Sequence, residues 1–199
     1  MLNRLLKLFV MAVALSFTHA ALAASSPTED VRSSVDAILV ILQNSELDVQ
    51  QKREDISKII NKRFDFRAMS QRTLATNWKK TSDEEKKQFT ALFSQLIESS
   101  YVGKIEAYTN EKVEYPGEKV KGKKAVVETL ILTSSADIPV NYRLYQKGDQ
   151  WLVYDVIIEG VSLISNYRSS YQEIMKDEGF DGLLNKMQAK IDELSSAAS

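Results

Sequence analysis

Few residues of this chain could carry out acid–base chemistry. Asp155 and Glu159 are the most suggestive pair. They lie four apart on a predicted strand, so both point the same way, about 13 Å apart by strand rise, which is too far to share a proton. If Gly148-Asp149 is a two-residue turn, Tyr142 falls opposite Asp155 and Arg143 is a diagonal neighbour at most. Asp155 then reads as a polar position hydrogen-bonded near a strand end. The single histidine, His19, sits close to the N-terminus, and the chain has no cysteine. Residues 24–199 therefore offer no thiolate nucleophile, disulfide, His-based triad or His/Cys zinc site. The eight tyrosines fall at core-like spacings and form no stacking platform for bases or sugars. No catalytic constellation, metal site or cofactor motif emerges.

The N-terminus explains the lone histidine. Arg4 and Lys7 precede an apolar run from Leu8 to Phe17, followed by Ala21-Leu22-Ala23. This is the pattern of a secretory signal peptide, and the run is too short to span a bilayer. Cleavage after Ala23 is expected, giving a signal peptide of 1–23 and a single exported domain of 24–199. The leader takes two of the 26 Lys+Arg and none of the 27 Asp+Glu. The exported part is mildly acidic, unlike a nucleic-acid binder. A soluble monomer is expected.

The elements that position these residues follow from periodicity. Ser26-Pro27-Thr28-Glu29 opens a helix with Val31, Val35, Ile38, Leu39 and Leu42 at helical spacing. A second helix starts near Ser45 or Asp48 and carries Ile56, Ile59 and Ile60. Asp65 caps a short helix holding Phe66 and Met69 on one face. Thr81-Ser82-Asp83-Glu84 starts the longest helix, to about Tyr108, with a stripe of Phe89, Phe93, Ile97, Tyr101 and Ile105. Gly103 within it suggests a bend or a close backbone approach.

Strands come next. A short one ends at Pro116-Gly117, read as a turn, and Lys119 to Lys124 reads as an exposed basic hairpin turn. Ala125 to Thr133 is a long strand with Val127, Thr129 and Ile131 on one face. Then comes a hairpin with Val140, Tyr142 and Leu144 facing one way. On its second strand Trp151, Val153 and Ile157 are expected on one face, and Leu152, Tyr154, Val156 and Ile158 on the other. Both faces are apolar, so each needs cover or an apolar ligand. Gly160 ends the sheet. Two helices close the chain, the last capped by Asp181. Helices, then about four antiparallel strands, then helices make an α+β domain.

Several blocks resemble the periplasmic phospholipid-shuttle, or toluene-tolerance, family of MlaC-type proteins. They are Phe64-Asp65-Phe66-x-x-Met69, Leu74-x-x-x-Trp78, Tyr142-Arg143-Leu144, Asn166-Tyr167-Arg168 and, most specific, the run from Asp155 to Leu163. Ala75 departs from the glycine that usually follows the leucine. The resemblance implies a twisted antiparallel sheet packed by helices, NTF2-like, around a deep apolar cavity. It implies no enzymatic activity and no cofactor, with a glycerophospholipid as cargo. The implied partners are an outer-membrane lipoprotein–porin complex and an inner-membrane ABC transporter bearing a ring of MCE domains. Phe93, Ile97, Tyr101, Ile105, Val140, Tyr142, Val153, Ile157, Val161 and Ile164 are the expected lining, with Leu152, Tyr154 and Val156 the alternative set. An enzyme using Asp155 and a tyrosine on a similar scaffold, and an interaction module with a filled core, remain the competing readings.

Overall fold

The computed structural model describes residues 25–106 and 112–197. The proposed signal peptide and Tyr108 lie outside the described residues. Local capping chemistry sets the helices. Ser26 accepts the Glu29 N–H at 3.1 Å and starts α1 (Pro27–Gln43). Asp48 accepts from Gln51 at 2.8 Å and starts α2 (Val49–Arg63). Asp65 accepts from Ala68 at 2.8 Å and starts α3 (Phe66–Leu74), which runs into a 3-10 turn at Ala75–Lys79. Ser82 and Glu85 form a reciprocal capping box at the start of α4 (Asp83–Glu106). Ser162 caps α5 (Leu163–Asp177), and α6 (Gly179–Ala197) begins two residues before the expected Asp181 cap. No helix among the described residues is long and apolar enough to cross a membrane.

The sheet is an antiparallel meander in the order β1 (Lys112–Lys121), β2 (Lys124–Leu132), β3 (Asp137–Lys147), β4 (Gln150–Ile158), β5 (Val161–Ser162). The fifth strand adds to the four read from sequence. It forms because Glu159 and Gly160 both take positive φ, 49° and 84°, and so fold the chain back in a two-residue turn. Pro116-Gly117 is not a turn. It lies within β1 at a bulge, where pairing jumps from Glu114↔Leu130 to Gly117↔Glu128. Proline is tolerated there because β1 is an edge strand that need not donate at that position. The hairpin turn comes later, at Gly122, with φ 58°.

A second bulge matters more. Gly148-Asp149 is the expected two-residue turn, and pairing runs regularly to Leu144↔Val153. It then resumes at Arg143↔Asp155, leaving Tyr154 as the extra residue. Beyond Tyr154 the side-chain alternation is therefore offset by one. Val156 and Ile158 join Val153 and Trp151 in one apolar cluster, and Ile157 turns to the opposite face. The same offset puts Arg143, not Tyr142, across from Asp155.

Two cores result. One joins α3, α4, α5 and α6 around Phe89, Phe93, Met69 and Leu183. The other joins α1 to the sheet around Val31, Val127, Leu144 and Val153. Phe64 packs against both. Its backbone bridges to Val153, and the next N–H, that of Asp65, donates to the Val153 carbonyl at 2.9 Å. The opposite face of the sheet is met at β4 by α3 and α5. Gly103 makes no close approach, since a Cβ there would meet nothing within 4 Å.

Candidate functional site

The apolar stripe of α1 does not pack flush on the sheet. Val31, Val35, Ile38, Leu39 and Leu42 face Val113 of β1, Thr129 and Ile131 of β2, Tyr142 of β3 and Val153 of β4, and a cavity of about 180 Å³ lies among them. Ile60, Arg63 and Phe64 at the end of α2 form one wall, and Ile105 near the end of α4 completes it.

Ser34, Arg63 and Thr129 in the wall are already engaged. The Thr129 hydroxyl donates to the Val140 carbonyl at 2.5 Å. Arg63 Nη1 reaches Asp30 Oδ2 at 2.9 Å and the Trp151 carbonyl at 2.8 Å, while its Nε donates to Ser34 Oγ at 3.0 Å. Asp30, only 8% exposed, also accepts the Trp151 N–H at 2.9 Å and the Ser25 hydroxyl at 2.9 Å. A charge buried in an apolar wall is tolerated when it is paired and hydrogen-bonded in this way. The network ties α1, α2 and β4 together and leaves mainly hydrocarbon to meet a guest.

On the far side of α2, two polar ties link it to α4. Arg53 pairs with Glu106 through two bonds of 2.6 and 3.1 Å, and Ser57 and Asn61 both donate to Glu98. These hold the cavity wall beside Ile105.

Of the ten residues expected to line a pocket, Ile105, Tyr142 and Val153 do line this cavity. Val140 packs in the sheet core on the same face. Phe93, Ile97, Tyr101 and Ile164 do not reach it and belong to the helical core, because the stripe of α4 is spent on α3, α5 and α6 until its last turn. Ile157 faces away through the bulge at Tyr154. Val161 is 61% exposed beyond the β4–β5 turn. The alternative set fares no better: Leu152 and Tyr154 lie off the cavity face, and Val156 is on it but packed. The wall residues that were missed, on α1 and β2, had been visible as regular stripes. Periodicity identified the faces without saying that a gap lay between them.

Asp155, Asp65 and Tyr145 serve structure. Asp155, 3% exposed, accepts from Arg143 Nη1 at 3.0 Å, Ser162 Oγ at 2.8 Å and the Ile164 N–H at 3.1 Å. Its oxygens hold the start of α5 to the sheet and are not offered to a substrate. Asp65 accepts from the Tyr145 hydroxyl and from Ala68. Burial works against its ionisation, yet Tyr145, the Ala68 N–H, Lys147 and Arg72 outweigh it and hold the carboxyl below its usual value. Burial, then the Asp65 bond, pushes the Tyr145 phenol up to about 12. Among the described residues no group of three or more His, Cys, Asp or Glu is placed to hold a metal ion. The arrangement suits binding of an apolar chain and offers no acid–base pair.

The family model described as MlaC protein matches residues 32–189. The chain is 25% identical over 185 residues to the intermembrane phospholipid transport system binding protein MlaC of Haemophilus influenzae, covering 86% of this chain and 85% of that one. It is 25% identical over 105 residues to the toluene tolerance protein ttg2D of Pseudomonas putida, covering 52% and 49%. Among solved structures, a phospholipid-binding protein from Ralstonia solanacearum, in complex with a phospholipid, superimposes with a TM-score of 0.80 at 21% identity, covering 86% of this chain and 99% of that one. That likeness bears out the α+β architecture of helices on an antiparallel sheet.

Proposed function

The chain belongs to the MlaC protein family, and from that premise we propose that it is a non-enzymatic periplasmic carrier of glycerophospholipid. The leader ending near Ala23 exports it. The cavity between α1 and the sheet takes acyl chain, in contact with Ile105, Tyr142 and Val153, and the head group stays at the mouth. The observation that carries this reading is the apolar cavity itself, whose wall groups Ser34, Arg63 and Thr129 are hydrogen-bonded within the protein. The phospholipid held by the similar Ralstonia solanacearum structure supports it.

Energetics dictate how such a carrier must work. Each methylene taken from water into an apolar site is worth about 0.8 kcal/mol, and two acyl chains hold on the order of thirty methylenes. Release into water is therefore prohibitive, while exchange between two apolar environments is close to neutral. Loading and unloading happen on docked partners. These are an outer-membrane lipoprotein–porin complex on one side and an inner-membrane ABC transporter with its MCE-domain ring on the other. Shuttling between them maintains lipid asymmetry of the outer membrane.

The test is direct. The protein is purified without detergent, extracted with chloroform–methanol, and the extract is analysed by mass spectrometry. Phospholipid approaching one molecule per chain is expected. An extract free of phospholipid would overturn the reading.

A further inference from the structure

A second groove lies on the other side of Phe64 from the cavity. It has a volume of about 570 Å³ and is lined by Lys62, Arg67 and Lys147 over Phe64, Phe66 and Leu152. Its one carboxylate, Asp65, is already engaged by the Tyr145 hydroxyl and the Ala68 N–H, with Lys147 at 3.7 Å. Among the described residues neither Lys62 nor Arg67 enters an ion pair, and the Arg67 guanidinium lies over the Trp78 ring at 5.6 Å.

The positive charge continues beyond the groove. The β1–β2 and β3–β4 hairpins turn at the same end of the sheet, where the Gln146 N–H meets the Lys123 carbonyl at 2.9 Å and Lys124 pairs with Tyr145. Lys121, Lys123 and Lys124 are exposed there and enter none of the ion pairs either. Asp149 is the exposed acid beside them. The groove and these turns together bring Lys62, Arg67, Lys121, Lys123, Lys124 and Lys147 near the exposed Asp149 and the engaged Asp65, while Asp30 and Glu118 nearby are taken up by the Trp151 and Thr28 N–H groups.

We propose that this groove is a docking site for an acidic, extended segment of a partner protein, separate from the lipid cavity. Lys62, Arg67 and Lys147 border the groove, and Lys121, Lys123 and Lys124 lie at the neighbouring hairpin end, so the positive charge extends past the groove along the sheet end, which matches a run of carboxylates along a chain better than a single phosphate. The part-exposed Leu152 and Phe64 give the floor apolar surface for the apolar side chains that such a segment interleaves with its acids, while Phe66 beneath is buried. Charges of this kind set association rate and specificity. The proposal does not rest on the cargo reading, because the cavity and the groove share only the Phe64 ring.

The test uses the purified full domain and a fluorescein-labelled dodecapeptide of alternating Glu and Leu, followed by fluorescence anisotropy. Saturable binding that weakens as NaCl rises is expected, and Lys62→Glu with Arg67→Glu should weaken it by about tenfold or more. Lys123→Glu with Lys147→Glu, on the exposed hairpin ends, provides a second variant if the first fails to fold. Extracted phospholipid should be unchanged in both. Three results would each overturn the proposal. These are no saturable peptide binding by the unaltered protein, equal binding by folded charge-reversed variants, and phosphatidylglycerol vesicles outcompeting the peptide through the same lysines. Loss of lipid in the folded variants would overturn the separation of groove from cavity.

Discussion

Arg143 stands directly across the sheet from Asp155, with its Nη1 3.0 Å from the carboxylate. The pairing exists because Tyr154 is bulged out of β4. Its ring is then free to meet the Arg72 guanidinium at 4.3 Å and the Tyr145 ring at 6.3 Å. The bulge thus serves two ends. It aims Asp155 at the start of α5, and it places a tyrosine where α3 crosses the sheet.

Asp155→Ala should be among the most destabilising polar substitutions in the chain. It strands the Ile164 N–H and the Ser162 hydroxyl, and the expected loss is about 2–3 kcal/mol. The partly exposed Arg143 adds little. Urea unfolding followed by circular dichroism measures it. A loss below about 0.5 kcal/mol would mean that the three hydrogen bonds are not holding α5 to the sheet.

Two backbone exchanges should act in opposite chemical directions and both stabilise. Ala75 ends α3 with φ 50° and ψ −118°, a region that strains a residue bearing a Cβ. Ala75→Gly relieves it, for a net gain of about 1 kcal/mol after the entropy cost of glycine. Gly103 is helical, and an added Cβ meets nothing within 4 Å. Gly103→Ala should gain roughly 0.5–1 kcal/mol. Thermal unfolding of the two single variants and the double checks both values and their additivity.

Filling the cavity should abolish cargo without unfolding the protein. Val35→Trp and Ile38→Trp place a large ring into the space between α1 and the sheet. Phospholipid in the extract is expected to fall several-fold while the circular dichroism spectrum is retained. Val161→Glu, on an exposed residue, should leave the lipid content as it is. Equal lipid in all three variants would move the binding site elsewhere.

The pair formed by Asp65 and Tyr145 predicts a stability plateau with two edges. Asp65 is held below its ordinary value of 3.8, so its contribution is complete above that value and is lost as pH falls through its lowered value. Tyr145 is raised from 10.0 to about 12, so its contribution is complete below pH 10 and is lost as pH rises through about 12. Tyr145→Phe should flatten both edges. The part of the alkaline loss due to Tyr101 and Tyr171, raised by burial, should remain. Unfolding free energy measured at intervals from pH 3 to pH 12 resolves the two edges.

What was legible in the sequence was local or regular. Ser26, Asp65 and the run Thr81 to Glu84 marked helix starts, as did Asp48 alongside Ser45, because a capping oxygen and the N–H it accepts lie within three residues. The Gly148-Asp149 turn was legible for the same reason. The Val31-to-Leu42 stripe showed that α1 must face something apolar. Ala75 stood out as a departure from a glycine pattern, and its positive φ supplies the reason.

Only the tertiary structure decided the rest. A bulge is created by the register of two strands, so neither Tyr154 nor Pro116 carries a local sign of it. Once Tyr154 is displaced, every side chain beyond it changes face, and Ile157 leaves the side that Val156 joins. Phe93, Ile97 and Ile164 look like lining residues by composition and are core, because α5 and α6 return to cover the long helix. Arg63 and Asp30, 33 positions apart, meet only in the fold. The chain alone determined which surfaces are apolar and where most of the helices begin. Whether two apolar surfaces touch or stand apart around a cavity depends on backbone spacing, which is set by the packing of the whole domain.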